Sequence, residues 1–216
     1  MRNLQKHGIG VMGGTFDPIH YGHLYIAESS RCRFNLGKIL FMPSGNPVHK
    51  KRNDITDHVH RLEMTRLAIA KNPYFALSTL EVDRPGPTYT VDTLEYLKND
   101  CSGTARLFFI TGADAILDIL TWKDVPRIFE LCRFIAVTRP GFSFRALNEM
   151  LADLTEEQRK KIHLHETGGI LVSSTEIRRR ISRGEPVKYL LPDSVEKYIE
   201  KQGLYRHPDD SCLSLK

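Results

Sequence analysis

The sequence predicts an α/β fold: a doubly wound parallel sheet in a single domain. Three observations predict it. Short apolar, β-branched runs alternate with longer amphipathic stretches from end to end, the pattern of parallel strands joined by crossover helices. The length of 216 residues is enough for a sheet covered on both faces, but a squeeze for two domains. With 41% hydrophobic and 26% charged residues, the composition is that of a globular chain and excludes a disordered one.

In chain order, the expected strands are "IGVMG" (9–13), "KILFMP" (38–43), "FALSTLEV" (75–82), "RLFFIT" (106–111), "RFIAVT" (133–138) and "GILVS" (169–173). Between them, "HLYIAESSRCRF", "HVHRLEMTRLAIAKN", "TVDTLEYLKND" and "AILDILTW" carry apolar residues at three- and four-residue spacing and read as helices packed on the sheet. Residues 144–162 divide into two helical pieces, the second capped by Thr155 with Glu157 and Gln158 near the capping-box position. Residues 192–205 form the closing helix, with Gly203 at its C-cap. The domain thus spans 1–205, and the polar, unpatterned stretch 206–216 is expected to be a flexible tail.

No apolar run approaches the roughly 18 residues of a spanning helix, so no membrane role is expected. The start "MRNLQKHGIG" lacks the apolar centre of a secretory signal, which makes the cytoplasm the expected compartment. Cys32, Cys101, Cys132 and Cys212 are scattered without C-x-x-C spacing, as expected of reduced thiols; neither a disulfide nor a zinc site is read from them. A net charge of +5, spread along the chain, suits phosphates better than a nucleic-acid groove. Nucleic acid is therefore not an expected partner, and a homo-oligomer is left open.

The stretch "GIGVMGGTFDPIHYGH" (8–23) carries two competing signals. Its first letters fit G-x-G-x-x-G, but no strand precedes Gly8, and the acidic residue expected about 20 positions on is missing. Read one strand later, the same letters give strand, glycine turn, and a helix starting near Ile19 with Pro18 at its first position. Gly13 and Gly14 then let backbone approach a phosphate, Thr15 adds a hydroxyl, and the helix N-terminus favours negative charge. His20 and His23, at i and i+3, project from one side of the first turn, and Gly22 leaves room beside them. By itself such a histidine pair is more often surface decoration or half a metal site.

A second element lies in "VSSTEIRRRI" (172–181), which places Ser173, Ser174 and Thr175 at a helix start with Arg178 one turn in. Hydroxyls, free backbone donors and a guanidinium converge there, which is chemistry suited to phosphate. Taken alone, the segment reads first as an ordinary Ser/Thr N-cap followed by a solvent-facing arginine.

"GGTFDPIHYGH" and "SSTEIR" resemble the two signatures of the HxGH nucleotidylyltransferase superfamily. "FMPSGNPVHKK" (41–51), "PTYTVDTL" (87–94), "TGADAILDILTWK" (111–123), "VTRPG" (137–141) and the terminal "YIEKQGLY" are similar to bacterial nicotinate-nucleotide adenylyltransferases. The resemblance covers about residues 8–205 and implies a Rossmann-like nucleotidylyltransferase fold. It also implies transfer of AMP from ATP to nicotinate mononucleotide, with Mg2+ carried mainly by ATP phosphates and no metal ligand from the protein. His20, His23 and Arg178 would then be catalytic. Gly13, Gly14, Thr15, Phe16, Gly22, Ser173, Ser174 and Thr175 would bind ATP. The acceptor would meet Lys50, Thr88, Tyr89, Gly112, Asp114, Trp122 and Arg139. By that resemblance Trp122 stacks on the pyridine ring, although on its own it reads as core, and Lys50 and Arg139 take the acceptor phosphate.

The turns after strands ending near 13, 43, 111, 138 and 173 all hold proposed contacts, and the carboxyl edge of an open parallel sheet is where ligands bind. Other readings are the same chemistry on nicotinamide mononucleotide or another phosphorylated acceptor, and a non-catalytic nucleotide- or RNA-binding module. A histidine-based metal hydrolase ranks last, for want of an acidic third ligand.

Overall fold

A computed structural model describes residues 8–46, 55–100, 105–138 and 144–206. A six-stranded sheet runs in the order β3-β2-β1-β4-β5-β6. Its strands are β1 (Gly8–Gly14), β2 (Leu36–Pro43), β3 (Phe75–Leu77), β4 (Leu107–Gly112), β5 (Cys132–Thr138) and β6 (Ile162–Glu166), and every pairing is parallel. The order reverses at β1, which pairs with β2 on one side and β4 on the other. This is the doubly wound α/β arrangement expected, and the crevice beyond β1 is its switch point.

Strand alternation sends successive side chains to opposite faces, and two cores result. Val11, Met42, Phe109, Phe134 and Ala136 face one core. It is closed by α4 (Thr90–Asp100), α5 (Ala113–Leu117), α6 (Val125–Leu131) and α7 (Phe144–Ala152). Met12, Ile39, Phe41, Ile110 and Ile135 face the other. It is covered by α1 (Tyr21–Arg33), α2 (His58–Ile69), α9 (Ser174–Ser182) and α10 (Asp193–Gln202). Two short helices, α3 (Leu80–Asp83) and α8 (Glu156–Arg159), fill connections. Thr155 and Gln158 form the expected capping box on α8, and Gly203 ends α10 with a left-handed φ of 62°.

Three expectations are corrected. The sixth strand is Ile162–Glu166, not 169–173. "IHLHE" carries two histidines and a glutamate, which broke the apolar run, but an edge strand needs cover only on alternate residues: His165 is buried while Leu164 is exposed. Residues 169–173 form a connection instead, with Leu171 83% exposed and a positive φ at Gly169. The third strand stops at Leu77, because Leu80–Asp83 turns helical. Helix α1 begins at Tyr21 with His20 as its N-cap, so Pro18 lies in the turn rather than at the first helical position. The sequence reading also passed over α6, which Asp124 caps by accepting from the Arg127 N–H.

No helix of the described residues is long and apolar enough to cross a membrane. The expected tail beyond Arg206 lies outside the described residues.

Candidate active site

Two cavities open at the carboxyl end of β1. The smaller, about 220 Å³, is lined by Thr15, Asp17, His20, His23, Val172, Ser173, Ser174, Thr175 and Arg178. Both expected phosphate elements thus meet in one cleft. Contact between them is direct: the Ser174 hydroxyl donates to the Pro18 carbonyl at 2.9 Å, and the Arg178 guanidinium donates to the Asp17 carbonyl at 2.7 Å. Arg178 is therefore not a solvent-facing arginine. Ser173 still caps α9, accepting from the Glu176 N–H at 3.1 Å.

The histidines stack, with ring centroids 3.7 Å apart and planes inclined by 23°. His23 Nδ1 accepts the His20 backbone N–H at 3.3 Å, which leaves Nε2 as the nitrogen that carries its proton. Phe16 is buried under the turn and meets the His23 ring edge-on at 5.1 Å. A Cβ on Gly22 would come within 3.0 Å of the His20 ring and 3.2 Å of Val172, so glycine lets the second signature close against the first.

The larger cavity, about 740 Å³, is walled by Gly13 and Gly14, which immediately precede Thr15 of the smaller one, and extends to Ser44, Thr88, Tyr89, Asp118, Trp122 and Lys123. Trp122 packs edge-on against Phe109 and Phe134 at 5.8 and 6.2 Å, as its core reading expects, and also lines the cavity. Thr88 is held by Asn46, whose backbone N–H donates to the Thr88 hydroxyl at 3.0 Å. Tyr89 lies beneath the Lys123 ammonium, 4.5 Å from the ring centroid. Gly112 caps α5 and Asp114 is exposed on it; neither lines the cavity, whereas Ala115 and Asp118 of that segment do. Lys50 and Arg139 lie outside the described residues.

Several residues that line or support these cavities escaped the sequence reading. Asp17 is 3% exposed, and its carboxylate accepts from the Tyr205 hydroxyl at 2.6 Å and the Thr56 N–H at 3.2 Å. Arg61, 2% exposed, donates to the carbonyls of Thr15, Ser44 and Thr56 at 2.8 to 2.9 Å and so fixes the ends of β1 and β2. Burial pulls its guanidinium below the ordinary arginine value, opposed by the Asp17 charge. A signal existed: Arg61 shares a helix face with Met64, Thr65 and Ile69, all buried. Glu81 also lines the larger cavity, where burial raises its carboxyl above the ordinary value against a hydrogen bond from Thr93. Among the described residues, no group of three or more His, Cys, Asp or Glu is placed to hold a metal.

Comparison with known proteins decides the family. A cytidylyltransferase-like family model matches residues 11–180. The chain is 53% identical over 198 residues to the "Probable nicotinate-nucleotide adenylyltransferase" of Moorella thermoacetica, covering 92% of this chain and 91% of that one. This chain belongs to the nicotinate-nucleotide adenylyltransferase family. A same-named protein of a Thermoanaerobacter species is 47% identical, covering 94% of this chain and 96% of its own length. Among solved structures, the Plasmodium falciparum nicotinic acid mononucleotide adenylyltransferase complexed with APC superposes with a TM-score of 0.74. The two are 23% identical, over 92% of this chain and 97% of that one, a likeness of fold. For an adenylyltransferase of this family, both cavities stand at the sheet's switch point, joined by one glycine turn.

Proposed function

We propose that this chain transfers the adenylyl group of ATP to nicotinate mononucleotide, releasing pyrophosphate and forming nicotinate adenine dinucleotide. The observation that carries the reading is that the two cavities adjoin along one turn: Gly13 and Gly14 line the acceptor-sized cavity, and the next residue, Thr15, lines the cleft that holds Arg178. A nucleotide in each would bring its phosphates together over that turn.

In this reading the cleft takes the triphosphate through Arg178, His23 Nε2, the Thr15 and Thr175 hydroxyls and the N-terminal N–H groups of α9. Trp122 offers a face to the pyridine ring, and Thr88 and Tyr89 lead into the start of α4, whose free N–H groups suit the ring carboxylate. An acceptor phosphate oxygen attacks the α-phosphorus, and the bond to the bridging oxygen breaks with its electron pair leaving on pyrophosphate. The nucleophile is already an anion, so no general base is needed. This chain contributes alignment and neutralisation of charge on the departing pyrophosphate. The donors of the cleft are cationic or neutral, which fits a triphosphate that brings its own magnesium; when bound, the ion offsets phosphate charge.

Lys123 favours the acid over the amide as acceptor. Its ammonium reaches the cavity beside Trp122, where a ring carboxylate would meet it and a carboxamide would gain less. The test is pyrophosphate release from ATP with either mononucleotide. Equal turnover of both would end the carboxylate reading, and no release with either would end the transferase reading.

A further inference from the structure

Asp17, which lines the smaller cleft, is held by a residue 188 positions further along the chain. Tyr205 follows the C-cap of α10 and holds a left-handed φ of 65°, a conformation costly for an aromatic residue that persists only where its surroundings enforce it. Its hydroxyl donates to Asp17 Oδ1 at 2.6 Å. Burial pushes that hydroxyl above the ordinary tyrosine range, with the Asp17 charge adding, so it stays protonated and remains a donor. The other carboxylate oxygen takes the Thr56 N–H at 3.2 Å, and the carbonyl of this same residue receives Arg178 at 2.7 Å. Asp17 is thus gripped by its side chain, and through its backbone it orients the guanidinium that lines the cleft.

We infer that Tyr205 is a positioning residue for adenylyl transfer: by fixing the Asp17 carboxylate it holds the Asp17 carbonyl where Arg178 must anchor to face the triphosphate. This rests on the reading of the smaller cleft as the triphosphate site. Arg61 acts two residues earlier, tying the Thr15 and Ser44 carbonyls together. The turn between β1 and α1 is therefore braced at Thr15 and at Asp17, where it meets Arg178. Satisfied buried networks of this kind rigidify what they hold, and their members couple. A hydroxyl that only stapled the last helix would change stability without touching the kinetics of folded enzyme.

The experiment is a double-mutant cycle of Tyr205→Phe and Arg178→Ala, with kcat, KM for ATP and KM for nicotinate mononucleotide measured below each variant's Tm. Phenylalanine keeps the ring and removes only the hydroxyl. The expected result is a loss of about tenfold in kcat/KM for ATP, an unchanged KM for the acceptor, and a loss under about twofold when the same change is made on Arg178→Ala. Three outcomes would overturn the inference: a lowered Tm with wild-type kinetics, equal losses on both backgrounds, or failure of Tyr205→Phe to fold. An Arg178→Ala enzyme with wild-type kinetics would instead remove the cleft assignment, and the inference with it.

Discussion

Arg178 and Asp17, separated by 161 positions in the chain, are joined by a 2.7 Å hydrogen bond from guanidinium to backbone carbonyl. That bond spends one edge of the guanidinium on position and leaves the rest for the cleft. Arg178→Ala is therefore predicted to lower kcat by about 10²-fold, the scale of losing one charge-stabilising donor, with little change in Tm. Steady-state kinetics beside a thermal melt would check it; a fall in Tm with unchanged kcat would contradict it.

The two histidines should separate under substitution. His20 is the N-cap of α1 and 5% exposed, so His20→Ala should cost both turnover and about 1 kcal/mol of stability. His23 is only partly buried, one turn in, so His23→Ala should cost turnover with much less loss of stability. Denaturant unfolding of the two variants would show the contrast, and equal stability losses would refute it.

Trp122 packs on Phe109 and Phe134 while walling the larger cavity. Trp122→Ala should therefore destabilise the fold by about 3 kcal/mol. Trp122→Phe retains the packing and should mainly raise the KM for nicotinate mononucleotide, leaving that for ATP near wild type. Parallel changes in both constants would speak against a ring-stacking role.

Lys123 is held by Tyr89 and by Asp92, whose Oδ1 lies 3.3 Å from its ammonium. A charge at this partly exposed place is worth roughly 1 kcal/mol to a nearby carboxylate. Lys123→Met should thus weaken selection of the acid over the amide mononucleotide by about fivefold. The ratio of the two kcat/KM values reads this directly, and an unchanged ratio would discard it.

His163 and His165 on the edge strand have pKa values lowered below the ordinary histidine value, first by burial and then by Arg133 and Arg33 respectively. Below about pH 6.5 the unfolded chain takes up protons that the folded chain refuses, so stability falls as pH drops through that value and levels off below the lowered folded values. Melts at pH 7.5, 6.5 and 5.5 should show a declining Tm, and the paired change His163→Phe, His165→Gln should flatten the decline. A double variant with the parent's slope would dismiss the assignment.

What could be read in the sequence was whatever local pattern carries. The strand, glycine turn and histidine pair at 8–23 are contiguous, so spacing alone announced them, and "SSTEIR" signalled a capped helix through residue type. The supports of that site were hidden because they act across the chain: Arg61 reaches Thr15 over 46 positions and Tyr205 reaches Asp17 over 188. The partners of Arg61 are moreover backbone carbonyls, and a carbonyl has no residue type to notice. The sixth strand was misplaced for a different reason. An apolar run at 169–173 outweighed "IHLHE", although an edge strand tolerates polar residues that a central strand could not.

The bond between Ser174 and Pro18 makes the smaller cleft depend on two segments 156 positions apart. A ribosome delivers β1 and its glycine turn well before α9, so a nascent polypeptide carries half of the cleft while the intervening residues are made. A product of translation interrupted before α9 would keep Thr15, His20 and His23 but lack Ser173, Ser174, Thr175 and Arg178.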